Sequence, residues 1–403
     1  MQRKLDLRTG RPVWSAYRAP KVPVEPLRRD LICDALVIGM GVSGALVAEA
    51  LTGAGLSVVA LDRRGPLLGS TAATTALVQF EVDQPLAKLI PRIGRDAAER
   101  AWRRSRLAVA NLYGRIDRLA IPCNASLRPS LLLAGDVLDA PGLEAEAAAR
   151  RAAGIGAEFL PRRSLKAEFG FARDGAILST GNIQLDPRKL SAGMLNLARQ
   201  RGAKFFAPAE AVALEHDAGG VTVATKAGPT IRAGHVVLAT GYELMDIVPK
   251  VPHSVVSTWA LATVRQKRPP WPREAFVWEA SDPYLYARIT HDGRIVCGGE
   301  DEEFTDEAAR DALIGEKTAA IAAKLKRLVP EADIRPDFAW TGSFGTTPTG
   351  LPYVGAIPRH PRIFAAMGYG GNGITFSQMA SEIVLNAIGG REDRDAALFS
   401  LAR

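Results

Sequence analysis

The run Cys33-Asp-Ala-Leu-Val-Ile-Gly-Met-Gly-Val-Ser-Gly-Ala-Leu-Val-Ala-Glu-Ala-Leu51 decides the fold. Cys33 to Ile38 is short and almost wholly apolar, the pattern of a central parallel strand covered on both faces. Gly39, Gly41 and Gly44 follow with the spacing G-x-G-x-x-G, and Ala45 to Leu51 reads as a helix of small residues. A second apolar run, Leu56 to Leu61, ends at Asp62. Together they make one strand, glycine turn, helix and strand of about 30 residues. In such a unit the first glycine permits the tight turn, the second lets backbone approach a pyrophosphate, and the third lets helix and strand pack closely. Gly39, Gly41, Val42, Ser43 and Gly44 are thus the expected phosphate site, at a helix N-terminus whose free N–H groups attract anions. Asp62, with Arg63 beside it, is placed to meet ribose hydroxyls. The motif signifies a bound dinucleotide and leaves NAD and FAD both open.

Working outward, 403 residues exceed what one core organises, so two or three structural units are expected. A composition 47% hydrophobic and 23% charged is too polar for a multispanning membrane protein and ordinary for a soluble one. No run approaches the roughly 20 apolar residues of a membrane helix, and the first thirty residues lack the apolar stretch of a secretory signal. A cytoplasmic location is the expectation. Cys33, Cys123 and Cys297 are too few and too scattered for a disulfide framework or a zinc site, and the five histidines form no metal-binding helix face, so no metal is expected. The net charge is +8, of which the first thirty residues supply eight basic and three acidic side chains. The excess therefore sits largely in an arm. A second basic cluster, Arg95 to Arg106, reads as a solvated helix face, with a patch for an acidic partner as the lesser alternative. Nothing points to nucleic acid.

Residues 1–30, with prolines at 12, 20, 23 and 26, read as an irregular basic arm. Helices are expected within 83–120, over 186–201, where Asp186 can cap and Pro187 suits the first turn, and from near Ile374. Short strands are expected at Ser130 to Leu133, Val221 to Thr225, Val236 to Thr240, Tyr284 to Ile289 and Ile295 to Gly298. Asp-Gly within residues 291–294 marks a hairpin turn between the last two.

Three further segments carry a resemblance. Gly69-Ser-Thr-Ala-Ala-Thr-Thr-Ala-Leu77 is a small, hydroxyl-rich loop; His235 to Glu243 runs from a strand into Ala-Thr-Gly; and Gly350-Leu-Pro-Tyr-Val-Gly355 precedes Met367-Gly-Tyr-Gly-Gly-Asn-Gly-Ile-Thr375. With the first turn, these resemble the D-amino-acid oxidase superfamily of flavoproteins, which includes glycine oxidase, sarcosine oxidase and glutamylputrescine-type amine oxidases, over about Asp34 to Arg403. The resemblance implies an α/β fold: a Rossmann-like FAD-binding domain over 31–82, 186–250 and 340–403, and an antiparallel-sheet substrate domain over 83–185 and 251–339. It implies FAD contacts at Ser70, Thr71, Thr74 and Thr75 in the loop, at Val212, at Thr240 and Gly241, and at Gly370, Gly371, Asn372, Gly373, Ile374 and Thr375 in the closing turn. A glycine turn opening a helix suits the flavin C2 carbonyl, where negative charge grows during reduction.

Two departures from the family shape the functional expectation. Thr341 to Thr347 contains no arginine, and Gly371 stands where the glycine-oxidase form of the closing motif has one, so the bidentate carboxylate clamp of an amino-acid oxidase is not visible. No cysteine lies near Gly342, where sarcosine oxidases tether their flavin, so the FAD is expected to be non-covalent. Substrate-facing candidates are Trp259, Tyr284, Tyr286, Arg288, Phe344, Thr346 and Thr347. Alternation puts Tyr284, Tyr286 and Arg288 on one strand face, looking either at the flavin or outward. The expected reaction is hydride transfer to FAD from a C–H next to an amine, in a small amine or N-substituted amino acid, with O2 or an electron carrier as the oxidant. Two alternatives remain: dehydrogenation of a hydroxy acid or polyol phosphate toward a quinone, and a flavin-bearing subunit of a larger assembly or a folate-dependent modifier.

Overall fold

The computed structural model describes residues 5–403. Of the expected arm, residues 1–4 lie outside the described residues. Leu31–Ile38 is a central strand, hydrogen-bonded in parallel to Val58–Leu61 on one side and Thr230–Leu238 on the other. Ala35, Leu36 and Val37 are all fully covered, so successive side chains pointing to opposite faces are both buried. That is why the segment is continuously apolar rather than alternating. The sheet runs Tyr353–Ile357, His360–Met367, Thr230–Leu238, Leu31–Ile38, Val58–Leu61, Lys204–Phe206, with Gly220–Thr225 and Ala211–Asp217 branching antiparallel from Thr230–Leu238.

Helix Val42–Gly53 packs between helices Pro187–Gln200 and Gly373–Ile388 and also meets strands Leu31–Ile38 and Val58–Leu61. It shows almost no polar stripe because neighbours surround it. Its one buried charge, Glu49, receives the guanidinium groups of Arg115 and Arg201. As the sequence suggests, Asp186 caps Pro187–Gln200, accepting from the backbone N–H of Arg188 and Lys189.

The larger sheet runs Arg8–Gly10, Pro336–Thr346, Ser254–Arg265, Arg294–Glu302, Leu285–Ile289, Phe276–Glu279, Ser126–Leu133, Gly175–Gln184, Leu77–Val78, with Glu158–Pro161 beside Gly175–Gln184. Helix Ile314–Leu328 supplies Ile321, Leu325 and Leu328 to the apolar cluster under this sheet. The expected hairpin joins Leu285–Ile289 to Arg294–Glu302, with Gly293 at φ +83°.

The structure adds detail to several expectations. The helical span 83–120 is two helices, Leu86–Ile93 and Arg95–Arg118, broken at Gly94, whose φ of +85° glycine adopts cheaply. The basic cluster is only partly a solvated face: Arg104 is buried against Glu382 and Asp393, and Arg100 reaches Asp395, so the cluster clamps the C-terminal region. The irregular arm is docked against the rest of the chain. Arg8–Gly10 extends the larger sheet, and Val13 and Trp14, in the short 3-10 helix Val13–Ala16 that begins just after Pro12, are fully buried. The sequence-based division at 340 falls inside Pro336–Thr346, and Leu77–Val78 also belongs to the larger sheet.

Candidate active site

Between the two sheets lies a cleft of about 1110 Å³. Typical ligand sites measure roughly 300–1,000 Å³, so it has room for a large ligand and a second molecule beside it. Its floor is the first glycine turn. A Cβ on Gly44 would sit 1.8 Å from the Gly39 carbonyl oxygen, and one on Gly39, itself at φ +109°, would strike the Ala239 carbonyl oxygen at 2.3 Å. Both glycines are demanded by backbone-to-backbone packing. Gly41, Val42 and Ser43 line the cleft; Gly44 lies behind it, packed on Gly39.

Asp62 lines the same end and organises it. Its carboxylate accepts from the N–H of Met40 (2.8 Å), Arg64 (2.8 Å) and Gly65 (2.9 Å), tying the glycine turn to the end of the second strand. Arg63 and Arg64 both pair with Glu243. Val212, Thr240 and Gly241 line this end as well.

The hydroxyl-rich loop is held from behind. The carbonyl oxygens of Ala73, Thr74 and Ala76 accept from Trp340 Nε1 (2.7 Å), Trp14 Nε1 (2.6 Å) and Arg288 Nη1 (2.8 Å). Ser70, Thr71, Thr74 and Thr75 line the cleft; Thr71 Oγ1 accepts from the Val42 N–H at 2.9 Å, and the Ser70 hydroxyl is buried without a partner.

The closing turn, Gly370 to Ile374, lines the other part of the cleft, and the two glycine turns meet at Ser43 Oγ and Ser377 Oγ, 2.8 Å apart. Segment 79–83 is laced to it: Thr375 Oγ1 donates to the Gln79 carbonyl, Asn372 Nδ2 to the Glu81 carbonyl, and the Gly371 N–H to Asp83 Oδ2. Thr375 is buried by this bond and does not line the cleft. A Cβ on Gly370 would lie 2.1 Å from Asp83 Oδ2.

The substrate candidates divide. Tyr284 and Tyr286 line the cleft with ring centroids 5.9 Å apart, and Phe344 and Thr346 line it too. Trp259, Arg288 and Thr347 do not. Trp259 is buried under the sheet, donating from Nε1 to the Arg310 carbonyl oxygen. Thr347 turns its hydroxyl to the Leu351 carbonyl oxygen. Arg288 shares the face of Tyr284 and Tyr286 as alternation implies, but lies farther along the strand, under Trp14 and beyond the cleft's end. Burial lowers its pKa to about 10. Neither an outward nor a flavin-facing position describes it; its guanidinium braces the loop backbone.

Sequence reasoning missed Leu7, Gln79, Glu81, Asp83, Trp278 and Asp301, all of which line the cleft. No motif spacing marks them, since they come from the arm, the loop's exit and two strands. The Asp83 carboxyl is pushed up to about 6 by burial in the cleft, with Asp301 adding repulsion. Burial also raises Asp301 and holds Tyr284, which donates to Asp301 Oδ2 at 2.5 Å, well above the usual phenol range.

A family model described as FAD dependent oxidoreductase, DAO, matches residues 34–386. The chain belongs to this DAO family of FAD-dependent oxidoreductases. Gamma-glutamylputrescine oxidoreductase of Escherichia coli is 23% identical over 96% of this chain and 91% of that protein. Glycine oxidase of Bacillus licheniformis is 25% identical over 88% and 92%. Among solved structures, glycine oxidase from Geobacillus kaustophilus superposes with a TM-score of 0.76 at 22% identity, covering 93% of this chain and 99% of that one. L-proline dehydrogenase from P. horikoshii gives 0.78 at 18%, covering 94% and 98%.

The family's cofactor is FAD, and the cleft fits it. Two glycine turns open helices onto one space, the Ser70 hydroxyl and Gln79 Nε2 are buried without partners along its wall, and substituting Gly39 or Gly44 would distort the turn. FAD is held non-covalently: Cys33, Cys123 and Cys297 are buried elsewhere, away from the lining. Among the described residues no helix is long and apolar enough to cross a membrane.

Proposed function

We infer that this FAD-dependent oxidoreductase takes hydride from a C–H bond next to an amine nitrogen. The observation that carries the reading is the wall of the cleft opposite the closing turn. It presents Tyr284, Tyr286 and Phe344, and among the described residues the basic side chains lining the cleft, Arg63 and Arg64, both pair with Glu243. A hydroxy acid or polyol phosphate would need a free cation to hold its anion. A neutral amine needs a dry, aromatic wall and orientation.

Bound FAD supplies the two-electron acceptor. In the proposed reaction the chain's part is positional: Asp62 and Val42 to Gly44 would support the nucleotide end, while the closing turn Gly370 to Ile374, whose Gly371 N–H is held by Asp83, would support the flavin's pyrimidine edge. Val212 and Arg63 are proposed at the adenosine, and Thr240 and Gly241 over the pyrophosphate. The aromatic wall keeps water from the reacting carbon. With the amine entering neutral, loss of hydride leaves an iminium, which water hydrolyses to a carbonyl compound and an amine. O2, which would form peroxide, or an electron carrier would take the two electrons away.

The test is anaerobic mixing of purified holoenzyme with amines, N-methyl amino acids and hydroxy acids, following loss of flavin absorption at about 450 nm, a property of the oxidised cofactor. Bleaching by amines is expected; bleaching by hydroxy acids alone would reject the reading. Peroxide released in air then distinguishes oxygen from a carrier.

A further inference from the structure

The aromatic wall is accompanied by carboxylates that no basic side chain among the described residues balances. Among the described residues, eleven acidic side chains line the cleft against two arginines. Several are compensated: Glu243 by Arg63 and Arg64, Glu279 by Arg173, and Glu302 by Lys317. Glu81, Asp83 and Asp301 have no basic partner among the described residues. Glu81 is 3% exposed, accepts from Ser130 Oγ and Asn182 Nδ2 through Oε1, and leaves Oε2 buried without a partner. Ser130 and Asn182 orient this carboxylate from behind, as a built site would. Asp83 accepts from the Gly371 N–H, and Asp301 from Tyr284.

Burying several carboxylates together is costly unless a cation joins them. Two tyrosine rings beside them add the complementary surface, since an ammonium is attracted both to an aromatic face and to a carboxylate. A zwitterionic amino acid would bring its own carboxylate into this field and meet repulsion. Resting on the amine reading above, we propose that Glu81, Asp83 and Asp301 with Tyr284 and Tyr286 form a cation subsite, and that the substrate is an alkylamine carrying a second, protonated nitrogen and no carboxylate beside the reacting carbon. The subsite holds the distant cation while the neutral amine end is presented to the flavin. The expulsion of carboxylates also accounts for the missing arginine clamp.

The test uses the FAD-loaded protein and two planar probes of similar shape and opposite charge, benzamidinium and benzoate, titrated against the flavin absorption spectrum. Benzamidinium is expected to bind about tenfold or more tightly than benzoate, the size of one lost or gained charge-assisted contact. Glu81→Gln and Asp301→Asn, which keep shape and should keep FAD, should each erase most of that preference. Equal affinities, or tighter benzoate, would overturn the subsite, as would a preference unchanged in both variants. Anaerobic bleaching by 1,4-diaminobutane, sarcosine and glycolate separates this from the reading beneath it. Bleaching by sarcosine and not by 1,4-diaminobutane overturns the cation subsite and leaves amine oxidation standing. Bleaching by glycolate alone rejects amine oxidation, while the benzamidinium titration still decides the subsite.

Discussion

Asp62 and Arg288 show how a residue's role depends on which of its atoms are already spoken for. Asp62 receives three backbone N–H groups, so its loss would unfasten the glycine turn as well as remove a candidate ribose acceptor. Asp62→Ala is expected to weaken FAD binding about tenfold or more, read as flavin lost on gel filtration and by titration of the apoprotein. Arg288 looks from the sequence like a substrate anchor. Its Nη1 bond to the Ala76 carbonyl and its place under Trp14 make it a support of the hydroxyl-rich loop. Arg288→Ala should therefore cost about 2 kcal/mol of stability in chemical denaturation. The KM for an oxidisable amine should stay near the wild-type value; a selective rise in KM would return Arg288 to the substrate.

At the scale of elements, helix Val42–Gly53 is fixed by Glu49 as well as by apolar packing. The carboxylate of Glu49 receives Arg115 from helix Arg95–Arg118 and Arg201 from just beyond helix Pro187–Gln200, and Arg115 continues to Gln378 and Ser381 on helix Gly373–Ile388. One buried acid thus joins the helices that deliver both glycine turns. Removing one partner from a buried ion pair leaves the others uncompensated, so Glu49→Ala is expected to destabilise the protein by about 3–5 kcal/mol, seen as a lowered denaturation midpoint. FAD should also be released more readily, because helices Val42–Gly53 and Gly373–Ile388 lose a shared tie. A variant as stable as the wild type would show that the apolar contacts suffice.

For the whole molecule, the N-terminal segment closes the architecture from outside. Leu5 binds Glu243 and Arg64 through its backbone, Leu7 lines the cleft, Arg8–Gly10 pairs with Pro336–Thr346, and Trp14 grips the Thr74 carbonyl. Deleting residues 1–17 is expected to expose a slot that buries a whole tryptophan, worth about 3–5 kcal/mol. Faster dissociation of FAD on dilution, monitored by recovery of flavin fluorescence, is the expected result; retention equal to the full chain would mean that the segment only covers the surface.

What the sequence determined by itself was the cofactor end: glycine spacing, a buried strand and a terminal acid are local, and the physics linking them acts within about 30 residues. The capped helix at Pro187–Gln200 and the hairpin after Ile289 were legible for the same reason. The tertiary structure alone decided the substrate end. Tyr284 and Tyr286 were candidates from their alternation, but Glu81, Asp83 and Asp301 come from two other segments, and carboxylates read one at a time look like ordinary surface charge. Only the folded chain shows the carboxylates facing one space without basic partners among the described residues, because charge compensation depends on distances in three dimensions and leaves no period along the chain.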